Sequence, residues 1–231
     1  MKKGLDEIGF ANHFCLKKPV WSTSDTASMI KKVNSLKGSY KIPIKLGVEM
    51  DYNPGYEDET RSFIESGKFD YVIGSIHFIG DWNFDSSKNI SGYDKWNADE
   101  LYEVYFNLVK KAAESKLFDI MGHLDLIKKF DYRPESDITD ILKRTVDVIG
   151  KSEICVEVNT SGLDRPCKEI YPSKEILKLC YDKNIPITLG SDAHAPQEVG
   201  RQFDETVKLI KNIGYKKIAR FAGRKRSFVE I

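Results

Sequence analysis

The chain has 231 residues and a formal net charge of +1, from 36 lysines and arginines against 35 aspartates and glutamates. This length suffices for one α/β domain with a substantial core or for two small domains. The near-zero net charge gives no reason to predict a nucleic-acid or membrane surface. We expect a cytoplasmic protein, because no apolar run approaches the roughly 20 residues that span a bilayer and the first residues do not read as a signal peptide.

Strand-like and helix-like segments alternate along the chain, which is typical of parallel strands joined by crossover helices. Apolar, β-branched runs predict strands at Leu5–Ala11, Ile44–Met50, Tyr71–Ile76, Phe118–Gly122, Ile154–Asn159, Pro186–Gly190 and Lys216–Phe221. Helical spacing of apolar residues predicts helices at Ser24–Leu36, Glu57–Ser66, Asp137–Ile149, Ser173–Lys183 and Pro196–Ile213, and a long helix capped by Asn97. We predict one domain over residues 1–231, since no linker or repeat divides the sequence.

One long segment, residues 78–96, separates a predicted strand from the long helix. It is rich in Gly, Asp, Asn and Ser but carries Trp82, Phe84, Tyr93 and Trp96. Loops of this length inside a compact domain are uncommon and often act as lids or binding loops. A disordered surface excursion is the alternative, although the aromatic residues favour packing against the domain.

The segment Thr188–Pro196 carries the first chemical signal, because Asp192 and His194 directly follow a predicted buried strand. If the segment stays extended, both side chains lie on one face of the backbone. A carboxylate and an imidazole that converge beyond a strand end can bind a metal or exchange protons. The alternative is a turn in which Asp192 caps the next helix and His194 is merely exposed.

All four histidines of the chain lie at or just after the end of a strand-like run. His13, His77 and His123 follow the first, third and fourth predicted strands, and His194 follows the sixth. Glu49 lies near the end of the second predicted strand. In barrels of alternating strands and helices, the carboxyl ends of the strands converge on the face that carries the site. The sequence therefore predicts one cluster of these side chains.

Six segments resemble the histidinol-phosphatase branch of the PHP (polymerase and histidinol phosphatase) superfamily. They are Gly47–Tyr52, Phe69–Gly80, Gly122–Phe130, Glu157–Leu163, Glu169–Ser173 and Leu189–His194. The resemblance implies a distorted (β/α)7 TIM-like barrel that binds up to three divalent metals. It also implies hydrolysis of L-histidinol phosphate to L-histidinol and phosphate in histidine biosynthesis.

The resemblance further implies a set of metal ligands. These ligands are His13, Glu49, His77, His123, Asp192 and His194. Glu49, His77 and His123 match the ligands of one metal, and Glu49 also bridges to a second metal that Asp192 binds. Imidazole and carboxylate donors together predict Zn, Fe or Mn.

Three further roles follow from the same resemblance. His13 and His194 match ligands of the third metal. Arg165 lies where the family places a cationic contact to phosphate, although a solvated surface arginine is the alternative. Asp192 and His194 are also the candidate catalytic residues that would protonate the departing alkoxide, but metal ligation is their first assignment.

The long segment 78–96 is expected to contribute to specificity through its aromatic side chains.

The sequence departs from the family at its start. The family opens with a strand bearing His-x-His and a helix before the segment that begins here at Gly4, and Asn12 stands where the family usually has Asp. We therefore expect a barrel that lacks its first strand and helix, has fewer metals, and exposes sheet edges that favour aggregation or a homodimer. A start codon assigned too late is the explanation we favour, and a truncated paralogue is the other.

Two alternative functions stay open at this point. One is an inactive or partly metallated remnant with a structural or interaction role. The other is a phosphoesterase that acts on a different small phosphate ester. A nucleic-acid partner is not expected, because the chain has no stripe of basic and aromatic residues.

Overall fold

The computed structural model describes residues 4–18 and 26–231, and it is built around one parallel sheet. The strands are β1 (Ile8–Phe14), β2 (Ile44–Asp51), β3 (Tyr71–Ser75), β4 (Phe78–Ile79), β5 (Trp82–Asn83), β6 (Ile120–Met121), β7 (Cys155–Asn159), β8 (Ile187–Gly190), β9 (Lys217–Ala222) and β10 (Lys225–Glu230). The helices are α1 (Thr26–Leu36), α2 (Glu57–Ser66), α3 (Ala98–Glu114), α4 (Thr139–Lys151), α5 (Lys174–Asp182) and α6 (Phe203–Ile213). Ser24 and Asp25, at the predicted start of the first helix, lie outside the described residues.

The parallel sheet has six strands in the order β1-β2-β3-β6-β7-β8. β1 and β8 are its two edges, yet the ring of His13 on β1 lies only 5.8 Å from the ring of His194, which follows β8. The sheet must therefore curl until its two edges approach each other at their carboxyl ends. This curled sheet with connecting helices confirms the TIM-like fold of the PHP type.

The packing of the sheet explains why the chain folds as it does. A large hydrophobic cluster joins the buried residues of the parallel strands to the apolar faces of the helices. In α3, for example, Asn97 caps the helix by accepting hydrogen bonds from the backbone N–H groups of Asp99 and Glu100. We keep the prediction of a single domain over residues 1–231 on the ground of this shared cluster.

No helix within the described residues is long and apolar enough to cross a membrane.

The last predicted strand, Lys216–Phe221, does not join the parallel sheet. It forms β9, which pairs antiparallel with β10. Ala219 and Phe221 of β9 pack against Ile120 and Cys155 at the start of β6 and β7. The hairpin therefore closes the amino end of the curled sheet, opposite the carboxyl ends that carry the histidines.

The helix predicted over Pro196–Ile213 is divided in two. A short 3₁₀ helix covers Pro196–Glu198, and α6 starts at Phe203. Between them, Gly200 and Gln202 have φ angles of +65° and +52°. This left-handed conformation interrupts an α-helix, so the segment after β8 folds back before α6 begins.

The segment 78–96 is an ordered part of the core, and the prediction of a disordered excursion is wrong. β4 and β5 form a short hairpin, and Ser87–Lys95 forms a 3₁₀ helix. Phe84 is fully buried and its ring meets that of Tyr105 on α3 edge-to-face at 5.6 Å. The Tyr93 hydroxyl donates a hydrogen bond of 3.2 Å to the carbonyl of Ile127. The prediction that the aromatic residues pack against the domain is confirmed.

Replacing Phe84 by Ala should lower the free energy of unfolding by about 3–5 kcal/mol, because it empties a closed site in the core. Denaturant unfolding followed by circular dichroism measures this difference. Ile90→Ala is the matched control, since Ile90 lies in the same segment but is exposed, and we expect a change within about 0.5 kcal/mol. Equal effects of the two substitutions would show that the segment does not pack as described.

Candidate metal centre

A cavity of about 290 Å³ opens at the carboxyl end of the curled sheet. Of the residues predicted from the sequence, those that line it are His13, His77, His123, Arg165, Asp192 and His194. Glu49 is buried beside the cavity and contacts three of these histidines. The structure thus brings together all the predicted site residues, which come from the six strands of the parallel sheet or the loops that follow them.

The carboxylate of Glu49 contacts three of the histidines. Its Oε1 lies 3.0 Å from His123 Nε2 and 3.5 Å from His77 Nε2, and its Oε2 lies 3.2 Å from His13 Nδ1. The Ser75 hydroxyl donates a further hydrogen bond of 2.7 Å to Oε1. Burial alone would raise the pKa of the Glu49 carboxyl, but the three imidazoles outweigh burial and hold this pKa well below its usual range. Glu49 is therefore an ionised carboxylate inside the protein.

The local register explains this contact. β1 pairs with β2 so that His13 lies directly beside Glu49. The first strand was expected at Leu5–Ala11, but pairing with β2 places it at Ile8–Phe14, and His13 lies within the strand rather than beyond it. The side chain of His13 is therefore held by the sheet and not by a loop.

His77 and His123 differ in protonation, although both are buried. Burial lowers the pKa of His77 to about 4, so this imidazole is neutral near pH 7. Burial also opposes the charge of His123, but the hydrogen bond and the negative charge of Glu49 outweigh it and raise the pKa to about 9. His123 Nδ1 is buried and has no hydrogen-bond partner in the part of the chain that the structure describes. It is a nitrogen donor that the described protein atoms leave unused.

Asp51 lies behind His77 and was not assigned a role from the sequence. Its Oδ1 accepts a hydrogen bond of 3.2 Å from the His77 backbone N–H and lies 3.8 Å from His77 Nδ1. Burial raises the pKa of Asp51 to about 8. A carboxyl group behind a histidine is the usual way in which proteins orient a metal-binding imidazole. The signal in the sequence was the spacing, because residues two apart in a strand share a face and Asp51 therefore follows Glu49.

Glu157 on β7 is a second acidic residue that received no role from the sequence. Its Oε2 accepts hydrogen bonds from the His123 backbone N–H at 3.1 Å and from Asn159 Nδ2 at 3.0 Å. Burial raises its pKa to about 7. A Cβ atom on Gly190 of the neighbouring strand β8 would collide with the Glu157 carboxylate. A larger residue at position 190 would therefore displace the Glu157 side chain from this position.

Asp192 and His194 follow β8 in a tight turn rather than in an extended segment, because Asp192 has a φ angle of +45°. Asp192 does not cap the next helix, as the alternative proposed, because Ala195 is the N-cap of Pro196–Glu198 and Asp192 Oδ2 instead accepts a hydrogen bond of 3.2 Å from the Ser161 hydroxyl. The other part of that alternative is confirmed, since His194 is exposed. His194 Nδ1 lies 3.1 Å from the carbonyl oxygen of Asp192. A carbonyl only accepts, so Nδ1 donates this hydrogen bond, and Nε2 is the nitrogen left for a metal.

Two cations reach the cavity from loops. Lys129 follows a 3₁₀ helix over Leu126–Lys128 and lies 2.9 Å from Asp85 Oδ2. Arg165 lines the cavity as the sequence predicted. Burial by itself raises the pKa of Asp85, but His77 and Lys129 outweigh it and lower the pKa. Lys129 and Asp85 were missed. Lys129 lies in Gly122–Phe130, one of the segments that resemble the family, which was the available signal, whereas nothing in the local sequence of Asp85 distinguishes it from a surface charge.

The aromatic residues of the segment 78–96 do not line this cavity. Trp82, Trp96 and Phe84 contact one another or the core. Asp85 is the residue of this segment that lines the cavity. The expected role of these aromatic side chains in specificity therefore has no support in the lining of this cavity.

The donor set fits a divalent metal. The candidate ligand atoms of His13, Glu49 and His77 all lie within 4.8 Å of one another. Imidazole nitrogens combined with carboxylate oxygens suit Zn, Fe or Mn. The unused His123 Nδ1 and the Nε2 lone pair of His194 add two donors at the edge of the same cavity.

Known proteins are similar to this chain in sequence. A probable histidinol-phosphatase of Deinococcus radiodurans is 36% identical over 220 residues, which cover 91% of this chain and 83% of that protein. A histidinol-phosphatase of Lactococcus lactis is 28% identical over 243 residues, covering 96% of this chain and 85% of that protein.

Solved structures agree with these relatives. The crystal structure of the histidinol phosphate phosphatase of Lactococcus lactis, in complex with zinc, L-histidinol and phosphate, has a TM-score of 0.80 and 26% identity over 97% of this chain and 88% of that chain. A structure from Listeria monocytogenes described as a histidinol phosphatase has a TM-score of 0.78 and 28% identity over 88% of this chain and 89% of that chain. The sequence profile of the PHP domain matches residues 1–161, and the chain belongs to the PHP domain family.

Proposed function

We propose that this chain is a metal-dependent phosphatase that hydrolyses L-histidinol phosphate to L-histidinol and phosphate. The observation that carries the proposal is the buried carboxylate of Glu49, which three imidazoles share beside a cavity that also holds Lys129 and Arg165. Such a site combines ligands for metals with cations for a phosphate. The relative from Lactococcus lactis, whose structure contains zinc, L-histidinol and phosphate, supports the choice of substrate.

The proposed metal ligands are the six residues that the sequence indicated. They are His13, Glu49, His77, His123, Asp192 and His194. Zinc is the first metal to test, because the Lactococcus structure contains it, and Fe and Mn suit the same donors. When bound, such metals activate a water molecule and neutralise the charge that develops during attack on phosphorus.

The cavity residues supply the rest of the chemistry. Transfer of a phosphoryl group depends mostly on positioning and on stabilisation of negative charge. Lys129 and Arg165 would contact the phosphate oxygens, and Asp85 holds the Lys129 ammonium in place at 2.9 Å. The leaving alkoxide oxygen needs a proton, for which Asp192 and His194 are the proposed sources when they do not bind a metal.

Two competing functions make different demands on the same site. A non-catalytic remnant would bind at most one metal at Glu49, His77 and His123 and would release no phosphate. A phosphatase for another small ester would release phosphate, but from other substrates. The proposed enzyme acts in the cytoplasm on a small phosphorylated metabolite, and a homodimer stays a prediction that light scattering would test.

The wild-type chain should release phosphate from L-histidinol phosphate when Zn or Mn is supplied. His123→Ala should lower kcat by at least about 100-fold and remove one metal equivalent, because it deletes a ligand that contacts Glu49. A colorimetric phosphate assay and elemental analysis of the metal measure the two effects. Asp137→Asn, at an exposed position away from the cavity, is the control and should change neither. Full activity of His123→Ala would refute the assignment.

Removing a phosphate contact should weaken use of the substrate. Lys129→Met and Arg165→Met should each lower kcat/KM by about 10–100-fold, as expected when a hydrogen bond to a charged group worth about 1.5–3 kcal/mol is lost. Lys208→Met is the matched control, because Lys208 is an exposed cation that pairs with Glu205. Steady-state kinetics with L-histidinol phosphate and with glycerol phosphate would also show which ester is preferred. A higher kcat/KM for glycerol phosphate than for L-histidinol phosphate would favour the competing function, a phosphatase for another small ester.

Metal binding should become stronger as the pH rises. The pKa of His123 is about 9 in the metal-free protein, so near pH 7 this imidazole carries a proton that a metal must displace. The apparent zinc affinity, measured by competition with a chromophoric chelator, should therefore increase from pH 6 to pH 8. His123→Ala should show a shallower dependence on pH. Identical slopes for the two proteins would contradict the assignment of His123 as a ligand.

A further inference from the structure

Arg201 lies between the 3₁₀ helix Pro196–Glu198 and α6, and it holds the turn that follows β8. Its Nε and one Nη atom donate to the carbonyl oxygen of Ser191 at 3.2 and 3.1 Å. The same Nη atom lies 3.2 Å from the carbonyl oxygen of Asp192. The other Nη atom donates to Asp164 Oδ2 at 2.7 Å. A planar guanidinium can donate in several directions at once, which a lysine ammonium cannot do in this geometry.

The far side of the turn is held by Glu198. Its Oε2 accepts hydrogen bonds from the backbone N–H groups of His194 at 2.7 Å and of Ala195 at 3.2 Å. Arg201 lies 3.4 Å from the same oxygen. The guanidinium and this carboxylate therefore fix the backbone on both sides of Asp192 and His194.

The turn needs such support because Asp192 has a φ angle of +45°. Residues other than glycine rarely adopt this left-handed conformation, and it persists where the surrounding structure determines it. Two hydrogen bonds stabilise this conformation. Arg201 donates to the carbonyl oxygen of Asp192, and the Ser161 hydroxyl donates to Asp192 Oδ2.

Arg201 also connects two walls of the cavity without lining it. Asp164 ends the 3₁₀ helix Ser161–Asp164 and directly precedes Arg165. One guanidinium therefore joins the turn that presents Asp192 and His194 to the segment that presents Arg165. The side chain of Arg201 is only 11% exposed, so water competes weakly for its hydrogen bonds to the carbonyls of Ser191 and Asp192, whereas its partner Asp164 is half-exposed.

We propose that Arg201 is a positioning residue, which fixes the turn of Asp192 and His194 in the conformation that binds metal. The inference rests on the proposed metal-dependent function. It assigns Arg201 no contact with the substrate, so its loss acts through the metal ligands and on kcat more than on KM.

The test compares Arg201→Gln and Arg201→Lys with the wild-type chain. Metal-free protein is titrated with Co²⁺, whose visible absorption reports the number and geometry of its ligands, and kcat, KM and Tm are measured on the same samples. Arg201→Gln should weaken Co²⁺ binding and lower kcat by about 10–100-fold, the usual effect of removing an outer partner of a metal ligand. Its KM should stay within about threefold, and Arg201→Lys should recover part of both losses.

The matched control is Arg133→Gln. Arg133 is another partly buried arginine with acidic partners, Asp131 and Glu169, but it contacts neither the turn nor the cavity. Its substitution should leave the Co²⁺ titration unchanged. If Arg201→Gln does not fold, Glu198→Gln replaces it, because this change weakens the contacts to the backbone of His194 and Ala195. A weaker Co²⁺ complex in Glu198→Gln would then support the proposal.

Wild-type Co²⁺ affinity and kcat in Arg201→Gln would overturn the proposal. An equal loss of Co²⁺ affinity in Arg133→Gln would also overturn it, since the effect would then be a general loss of stability. The Co²⁺ titration does not depend on the substrate. If the wild-type chain released no phosphate, the proposed function would fail while a weaker Co²⁺ complex in Arg201→Gln would still support the positioning role.

Discussion

The fold depends on one constraint, which is the need to keep the carboxylate of Glu49 ionised away from water. A buried charge is strongly unfavourable unless opposite charges or metals compensate it. His13, His77 and His123 lie within 3.0–3.5 Å of this carboxylate, and they come from three different strands or the loops after them. The curl of the sheet brings these strand ends together, so the same geometry that stabilises Glu49 also gathers the donors of a metal.

The two ends of the curled sheet are built differently. At the carboxyl end, polar side chains surround an open cavity, and their partners lie behind them in the sheet, as Asp51 does for His77. At the amino end, Ala219 and Phe221 of β9 pack against Ile120 and Cys155, and Arg224, between β9 and β10, pairs with Asp119 at 2.9 Å. This division leaves the sheet closed by packed side chains at its base and open to the cavity at its mouth.

The sequence predicted the histidine cluster because the carboxyl ends of parallel strands meet on one face of the barrel. A misplaced strand boundary, such as that of β1, does not change which face of the barrel the histidines lie on. It did not reveal Lys129 or Asp85, whose positions depend on how loops fold over the sheet. The aromatic residues around Trp82 were misread for a different reason, since an aromatic side chain in a polar segment is equally compatible with a core and with a binding surface. The break before α6 was missed because Gly200 and Gln202 adopt positive φ angles only in the folded turn.

The position of β9 has a consequence for how the protein matures. Phe221 packs against Ile120 and Cys155, which belong to strands that precede it by about a third of the chain or more. During synthesis the interior of the sheet stays open to water until residues 217–222 have left the ribosome. The parallel strands can pair before that moment, but the amino end of their inner face closes only once β9 is available. Closure of this end of the sheet therefore follows the synthesis of β9.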